Sequence, residues 1–161
     1  MVAQRVVPLR LSPSNSVWYF AYGSNLSVDQ MRDRVGEWHL SRRALVRNYK
    51  LVFNVYSKKW QGNTANLQAT GKFEDVVYGV VYQLTPEQLA KLQTGERVPA
   101  LEIRVELEDG NEISHAKTFI GGKTIPEREP PAAYRKAMEE GLTDHGYDKS
   151  HVDRVFAKVV K

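Results

Sequence analysis

Two places in the 161-residue chain bring together residue types that can do chemistry. The first is Tyr22-Gly23-Ser24-Asn25-Leu26. Val17–Tyr22 is a continuous β-branched and aromatic run, the pattern of a buried strand, and Gly23 breaks it just before a helix start at Ser27. A strand that ends in a glycine turn at a helix entrance can present several backbone N–H groups together, a natural cradle for an anion or oxyanion. Gly23 would serve a close approach or an unusual φ. The same residues also describe an ordinary tight turn. The second place is Glu96. Thr85-Pro86-Glu87-Gln88 opens a helix with a Thr cap, Pro at the first position and Gln at the third, and Gly95 reads as its stop. Glu96 then falls one place past the cap, against the negative end of the helix dipole, which disfavours a charged carboxylate. A carboxyl with a raised pKa suits a general base working near neutral pH. A solvated surface Glu is the plainer reading of the same position.

Other chemistries are thinly represented. The absence of cysteine removes disulfides, thiolate metal ligands and a Cys nucleophile, and fits a reducing, cytoplasmic setting. His39, His115, His145 and His151 form no HExxH or HxH pair, so no metal is expected. Gly121-Gly122-Lys123-Thr124 lacks the upstream half of a phosphate loop and reads as a plain turn. Residues 1–60 hold ten Lys/Arg against three Asp/Glu, whereas residues 61–161 hold thirteen against sixteen. That basic half is a solvated face or an attractor of anionic ligands or nucleic acid. No recognition signature accompanies it, so nucleic acid is not the expected partner.

The elements that must position these residues follow from periodicity. Beyond the first strand, Arg42–Tyr56 reads as extended, with Tyr49, Leu51, Phe53 and Val55 on one face. Asn63–Thr70 is a weak strand and Val76–Leu84 a strong one, in which Gly79 marks a bend or a close backbone approach. Ser27 with Gln30 forms a capping box. Leu101, Ile103, Val105 and Leu107 alternate with charged residues, and Asp109-Gly110 turns the chain into Glu112–Ile120. A helix is expected from Pro130-Pro131 to Gly141 and another over about His151–Val160. Five or six strands with three or four helices make a mixed α/β class. Residues 1–16 lack an apolar stretch and read as a flexible leader to a single domain over residues 17–161. No run approaches the ~20 apolar residues of a membrane span.

Tyr22-Gly23-Ser24-Asn25-Leu26 after an aromatic strand resembles the signature of the gamma-glutamylcyclotransferase family. Trp60-Gln61-Gly62 with Ala65-Asn66-Leu67, Val77-Tyr78-Gly79-Val80-Val81-Tyr82, Leu89-Ala90-Lys91-Leu92 followed by Glu96, and Pro131, Tyr134, Glu140-Gly141-Leu142 and Tyr147 are similar to the family's later segments in order. The resemblance covers about Val17 to Tyr147. It implies a curved or barrel-like mixed sheet packed by helices, and conversion of the γ-glutamyl group of a small-molecule γ-glutamyl amino acid or amine to 5-oxoproline, with no cofactor. It also implies Glu96 as general base and acid, and Tyr22, Gly23, Ser24, Asn25, Leu26 and Tyr147 as substrate-binding residues. Three departures stand out: Gln93 where the family has Asp, Arg97 where Gly usually follows the Glu, and a short Val98-Pro99-Ala100 segment without an expected aromatic. The last implies a more open leaving-group side near Ala100. A non-catalytic binding domain on the same fold, or nucleic-acid binding through the basic half, are the alternative functions.

Overall fold

The computed structural model describes residues 15–157, so nearly all of the expected leader lies outside the described residues. Strand β1 (Val17–Ala21) runs antiparallel to β5 (Val76–Leu84), with Phe20 opposite Val81 and Ala21 opposite Val80. β5 continues to β2 (Ser41–Arg47), then to β6 (Leu101–Leu107) and β7 (Glu112–Thr118), and β7 meets β1 in parallel at Tyr19–Lys117 to close a five-stranded barrel. β3 (Tyr49–Ser57) and β4 (Gly62–Ala69) form a separate two-stranded arm. Helices α1 (Val28–Val35), α2 (Pro86–Glu96), α3 (Ala132–Asp144) and α4 (Lys149–Phe156) complete the described chain.

The barrel explains why β1 and β5 are apolar throughout. Phe20, Tyr22, Ala44, Val46, Val77, Val81, Ile103 and Val105 form one buried cluster, with Leu67 of the arm against it. Tyr19, Ala21, Val80, Tyr82 and Leu84 alternate onto the other face and join Leu26, Met31, Leu92, Met138, Leu142 and Phe156 in a second. Strands buried on both faces lose the apolar/polar alternation of a half-exposed strand. Gly79 is the expected close approach, since a Cβ there would overlap the Ala21 carbonyl and the Phe20 ring.

Several boundaries differ from the sequence expectation for physical reasons. The extended stretch Arg42–Tyr56 is two strands, parted by Asn48 at φ 75°, a left-handed conformation that Asn tolerates better than most residues. Val52 and Phe53, which point to opposite faces, are both buried, and the register shifts between Phe53 and Val55, so the arm does not keep one strict face. The Thr85 capping box forms in full. At Ser27 only half forms: Ser27 Oγ accepts from the Gln30 N–H, but the Gln30 side chain reaches back to Ser24 and Asn25 instead. Gly95 is not the stop of α2; the helix includes Glu96, and Arg97 takes the left-handed position at φ 61°. α3 passes through Gly141 and ends three residues later, because that glycine is needed for packing rather than termination. α4 begins earlier than expected, capped by Asp148, and residues 158–161 lie outside the described residues.

Gly141 and Gly95 make opposite predictions. A Cβ at Gly141 would overlap the backbone carbonyl of Leu26, whereas one at Gly95 meets nothing within 4 Å. Gly141→Ala should lower the urea-unfolding free energy by ~1–3 kcal/mol, the usual range for overpacking a tight contact. Gly95→Ala should raise it by up to ~1 kcal/mol through helix propensity. A neutral Gly141→Ala would show that α3 does not rest on the Leu26 backbone.

Candidate active site

The chain leaves β1 at Tyr22 and turns through a single 3-10 turn, Ser24–Leu26, into α1. This turn is held from all sides. Asn25 Nδ2 donates to the Tyr19 hydroxyl at 2.9 Å, and Asn25 Oδ1 accepts from Gln30 Nε2 at 2.9 Å and from Arg34 at 3.1 Å. The Tyr82 hydroxyl donates to the Asn25 carbonyl at 2.9 Å. Gln30 Nε2 also donates to Ser24 Oγ at 2.7 Å. Asn25 is buried, and a buried amide left without partners is costly, so this network fixes the turn in one conformation.

Gly23 has φ −115°, outside the left-handed region, so its role is space. A Cβ there would overlap the Tyr134 hydroxyl. That hydroxyl accepts the Ala65 backbone N–H of β4 at 3.1 Å. The oxygen atom packed against the turn at Gly23 thus belongs to Tyr134. Burial pushes the Tyr134 phenol up to about 12, so it stays protonated at neutral pH.

Outside the turn lies a cleft of about 420 Å³. Tyr22, Ser24 and Tyr134 form its floor, the arm residues Tyr56–Trp60 one side, the Gly121–Lys123 loop another, and Glu96 with Arg97 the end of α2. Asn66 holds the Gly121 loop by accepting the Gly121 N–H at 2.9 Å and donating to its carbonyl at 3.2 Å. The sequence expectation of a plain turn at Gly121-Gly122-Lys123-Thr124 misses that this turn is a wall of the cleft.

Among the described residues, Glu96 is the one carboxylate that lines this cleft. Its side chain is one-third exposed, at 33%, and Arg34 stands 3.6 Å from Glu96 Oε2. Burial raises the Glu96 pKa above its ordinary value, while the charges of Arg34 and Lys59 pull it back down. The direction matches the sequence expectation, but the leading cause is withdrawal from water. Burial and Arg34 together lower the Lys59 pKa.

The sequence-expected residues divide. Tyr22, Ser24 and Glu96 border one cleft, with Gly23 beneath it. Asn25 is buried behind the turn, and the Leu26 side chain belongs to the helix-packed core. Tyr147 is not brought to this cleft. Its hydroxyl donates to the carbonyls of Gly79 at 2.7 Å and Ala44 at 3.2 Å, and its ring sits under Arg43. Tyr147 thus ties α3 and α4 to the barrel. Ala100 does not line the cleft either: it packs against the core, its N–H directed at Gln93 Oε1 at 3.4 Å. Rings from elsewhere, Tyr56, Trp60 and Phe119, wall the cleft. Arg97 keeps the left-handed turn without glycine, so that departure leaves the backbone path intact.

Sequence reasoning missed Arg34, Lys59 and Tyr134 as site residues. Tyr134 was visible as part of the resemblance but carried no role. Arg34 and Lys59 arrive through folding, one from the end of α1 and one from the tip of the arm, and no spacing rule joins them to Glu96. Among the described residues no group of His, Cys, Asp and Glu is arranged to hold a metal ion, and no helix is long and apolar enough to cross a membrane.

A family model described as "Gamma-glutamyl cyclotransferase, AIG2-like" matches residues 19–139. The chain is 28% identical over 150 residues to a gamma-glutamylcyclotransferase of Mus musculus, covering 86% of this chain and 77% of that protein. It is also 28% identical over 153 residues to a gamma-glutamylcyclotransferase of Homo sapiens, covering 88% and 78%. A solved structure of a gamma-glutamyl cyclotransferase is similar with a TM-score of 0.77 at 24% identity, over 88% of this chain and 87% of the other, a likeness of fold.

Glu96 has a stability signature of its own. A carboxyl whose folded pKa is raised binds its proton more tightly in the folded state, so its contribution is full below the unfolded pKa and is lost as pH rises through the folded one. Glu96→Gln should therefore raise the melting temperature relative to the parent at pH 7, with the gain vanishing as pH falls below the ordinary carboxyl value of 4.5. A gain that is equal at pH 4 and pH 7 would mean that Glu96 is not held against its charge.

Proposed function

The chain belongs to the gamma-glutamyl cyclotransferase, AIG2-like family, and from that membership we propose that it cyclises the γ-glutamyl group of small γ-glutamyl amino acids or amines to 5-oxoproline, releasing the amine. The observation that carries this reading is Glu96, alone among the described carboxylates in lining the cleft, with a raised pKa, across from the Ser24 turn.

The chemistry asks little of the protein beyond position and protons. The substrate's α-nitrogen attacks its own γ-carbonyl carbon, so nucleophile and electrophile already share one molecule. Holding the folded conformer supplies much of the acceleration. The α-ammonium gives up two protons as it becomes the lactam N–H, and the leaving nitrogen gains two as the C–N bond breaks. Glu96, ionised at first, takes a proton from the α-ammonium and passes it to the departing nitrogen. Its raised pKa makes it a better base toward that ammonium and still acidic enough to return the proton. Arg34 opposes the rise and so favours the charged starting form. In this reading Tyr22 and Ser24 meet the γ-glutamyl end, Gly23 gives room to the Tyr134 hydroxyl beside it, and Asn25 and Leu26 hold the turn from behind.

The assay is release of 5-oxoproline from a panel of γ-glutamyl dipeptides, γ-glutamylamines and glutathione. Glu96→Gln keeps the shape and removes the titratable group. It should fold and lose ~10²–10⁴ in kcat/KM, the usual worth of general acid–base catalysis. The parent's kcat/KM should rise with pH on a limb displaced above the ordinary carboxyl value of 4.5, in the direction of the Glu96 shift. A folded Glu96→Gln variant with parental turnover would remove Glu96 from the mechanism.

A further inference from the structure

The cleft that holds Glu96 is also lined by Arg34, Lys58, Lys59, Arg97 and Lys123, five cations against one carboxylate. They come from four separate parts of the chain: the end of α1, the tip of the β3–β4 arm, the residue after α2 and the Gly121 loop. Arg34 is paired with Glu96. Among the described residues Lys58, Lys59, Arg97 and Lys123 have no ion pair.

Among the described residues the other arginines of the basic half are treated differently. Arg32 pairs with Glu37, Arg42 with Asp109, Arg43 with Glu108 and Arg47 with Glu106. The positive charge is thus neutralised along the barrel and left uncompensated at the cleft. Like charges gathered around a concavity repel one another until an anion enters, and low-dielectric walls concentrate their field. Lys59 already registers this, since its ammonium is disfavoured by burial and by Arg34.

The γ-glutamyl end of a substrate brings one carboxylate. Four uncompensated cations exceed it, and a cleft of about 420 Å³ has room beyond the glutamyl group. We propose that the leaving-group side of the cleft takes an amine carrying at least two negative charges, an acidic amino acid or acidic peptide, held by Lys58, Lys59, Arg97 and Lys123. This rests on the cyclotransferase reading of the same cleft and adds its substrate class.

The decisive pair is γ-glutamyl-glutamate against γ-glutamyl-glutamine, which differ in one charge and hardly in shape. At about 20 mM ionic strength kcat/KM for the glutamate substrate should exceed the glutamine one by ~10-fold, and the ratio should shrink to ~2-fold at about 200 mM, where exposed charges are screened. In the folded double variant Lys58→Ala/Lys123→Ala, both surface positions, the ratio should fall at least ~3-fold. Calorimetric binding of the same two compounds to Glu96→Gln gives a readout that needs no turnover, and should show the same order. Equal binding of the two, or preference for glutamine, overturns the proposal. So does a preference that survives both salt and the double variant. Absence of 5-oxoproline from every substrate of the parent defeats the cyclotransferase reading instead, and the binding arm still decides whether the cleft selects a second negative charge.

Discussion

The geometry of the cleft depends on one buried amide. Asn25 is sealed between β1, β5 and α1; its side-chain nitrogen is bonded to Tyr19, its side-chain oxygen to Gln30 and Arg34, and its carbonyl to Tyr82. A satisfied buried amide tolerates little displacement, because each broken partner would leave a polar group dry. The Ser24–Leu26 turn is therefore fixed, and with it the direction in which Ser24 faces the cleft. Arg34 is the link outward, bonded to Asn25 on one side and 3.6 Å from Glu96 on the other. The carboxylate at the end of α2 and the turn at the end of β1 are thus coordinated through a single guanidinium.

The electrostatics of Glu96 are a balance rather than a single shift. Withdrawal from water favours the proton; Arg34 and Lys59 favour the charge. Both influences reach it because α2 ends at the cleft mouth, where Glu96 is only one-third exposed and 3.6 Å from Arg34.

Local rules made much of the fold legible. The unbroken apolar runs of β1 and β5 report strands buried on both faces, and the Thr85 cap reports the start of α2. Gly79 was readable as a close approach because a glycine inside an otherwise ideal strand has few other uses. Glycine misled inside helices: Gly95 and Gly141 look like stops, yet Arg97 takes the left-handed position after α2, and α3 runs on through Gly141, which serves packing against Leu26. The pair of site segments was legible from the Tyr22–Leu26 pentapeptide and Glu96. The partners of Glu96 were not, since Arg34 and Lys59 are brought to it by tertiary structure. Tyr147 lies away from the Glu96 cleft, its hydroxyl bonded to two barrel carbonyls, a demand no spacing reveals.

The barrel closes along a narrow seam, and this bears on the order in which the molecule assembles. β1 and β7 pair at Tyr19–Lys117 alone. Two side chains reinforce the join: Thr118 Oγ1 donates to the Phe20 carbonyl at 2.8 Å, and the Tyr22 hydroxyl to the Phe119 carbonyl. These contacts join residues 97 and 98 positions apart, whereas the β6–β7 hairpin and the β3–β4 arm form between neighbours in the chain. Long loops must be closed before such contacts are gained, so the seam belongs to the slow, late side of folding. Tyr22 and Phe119 are also walls of the cleft. A growing chain cannot complete this cleft until β7 has been made and docked, which delays any exposure of a formed site until nearly the whole barrel exists.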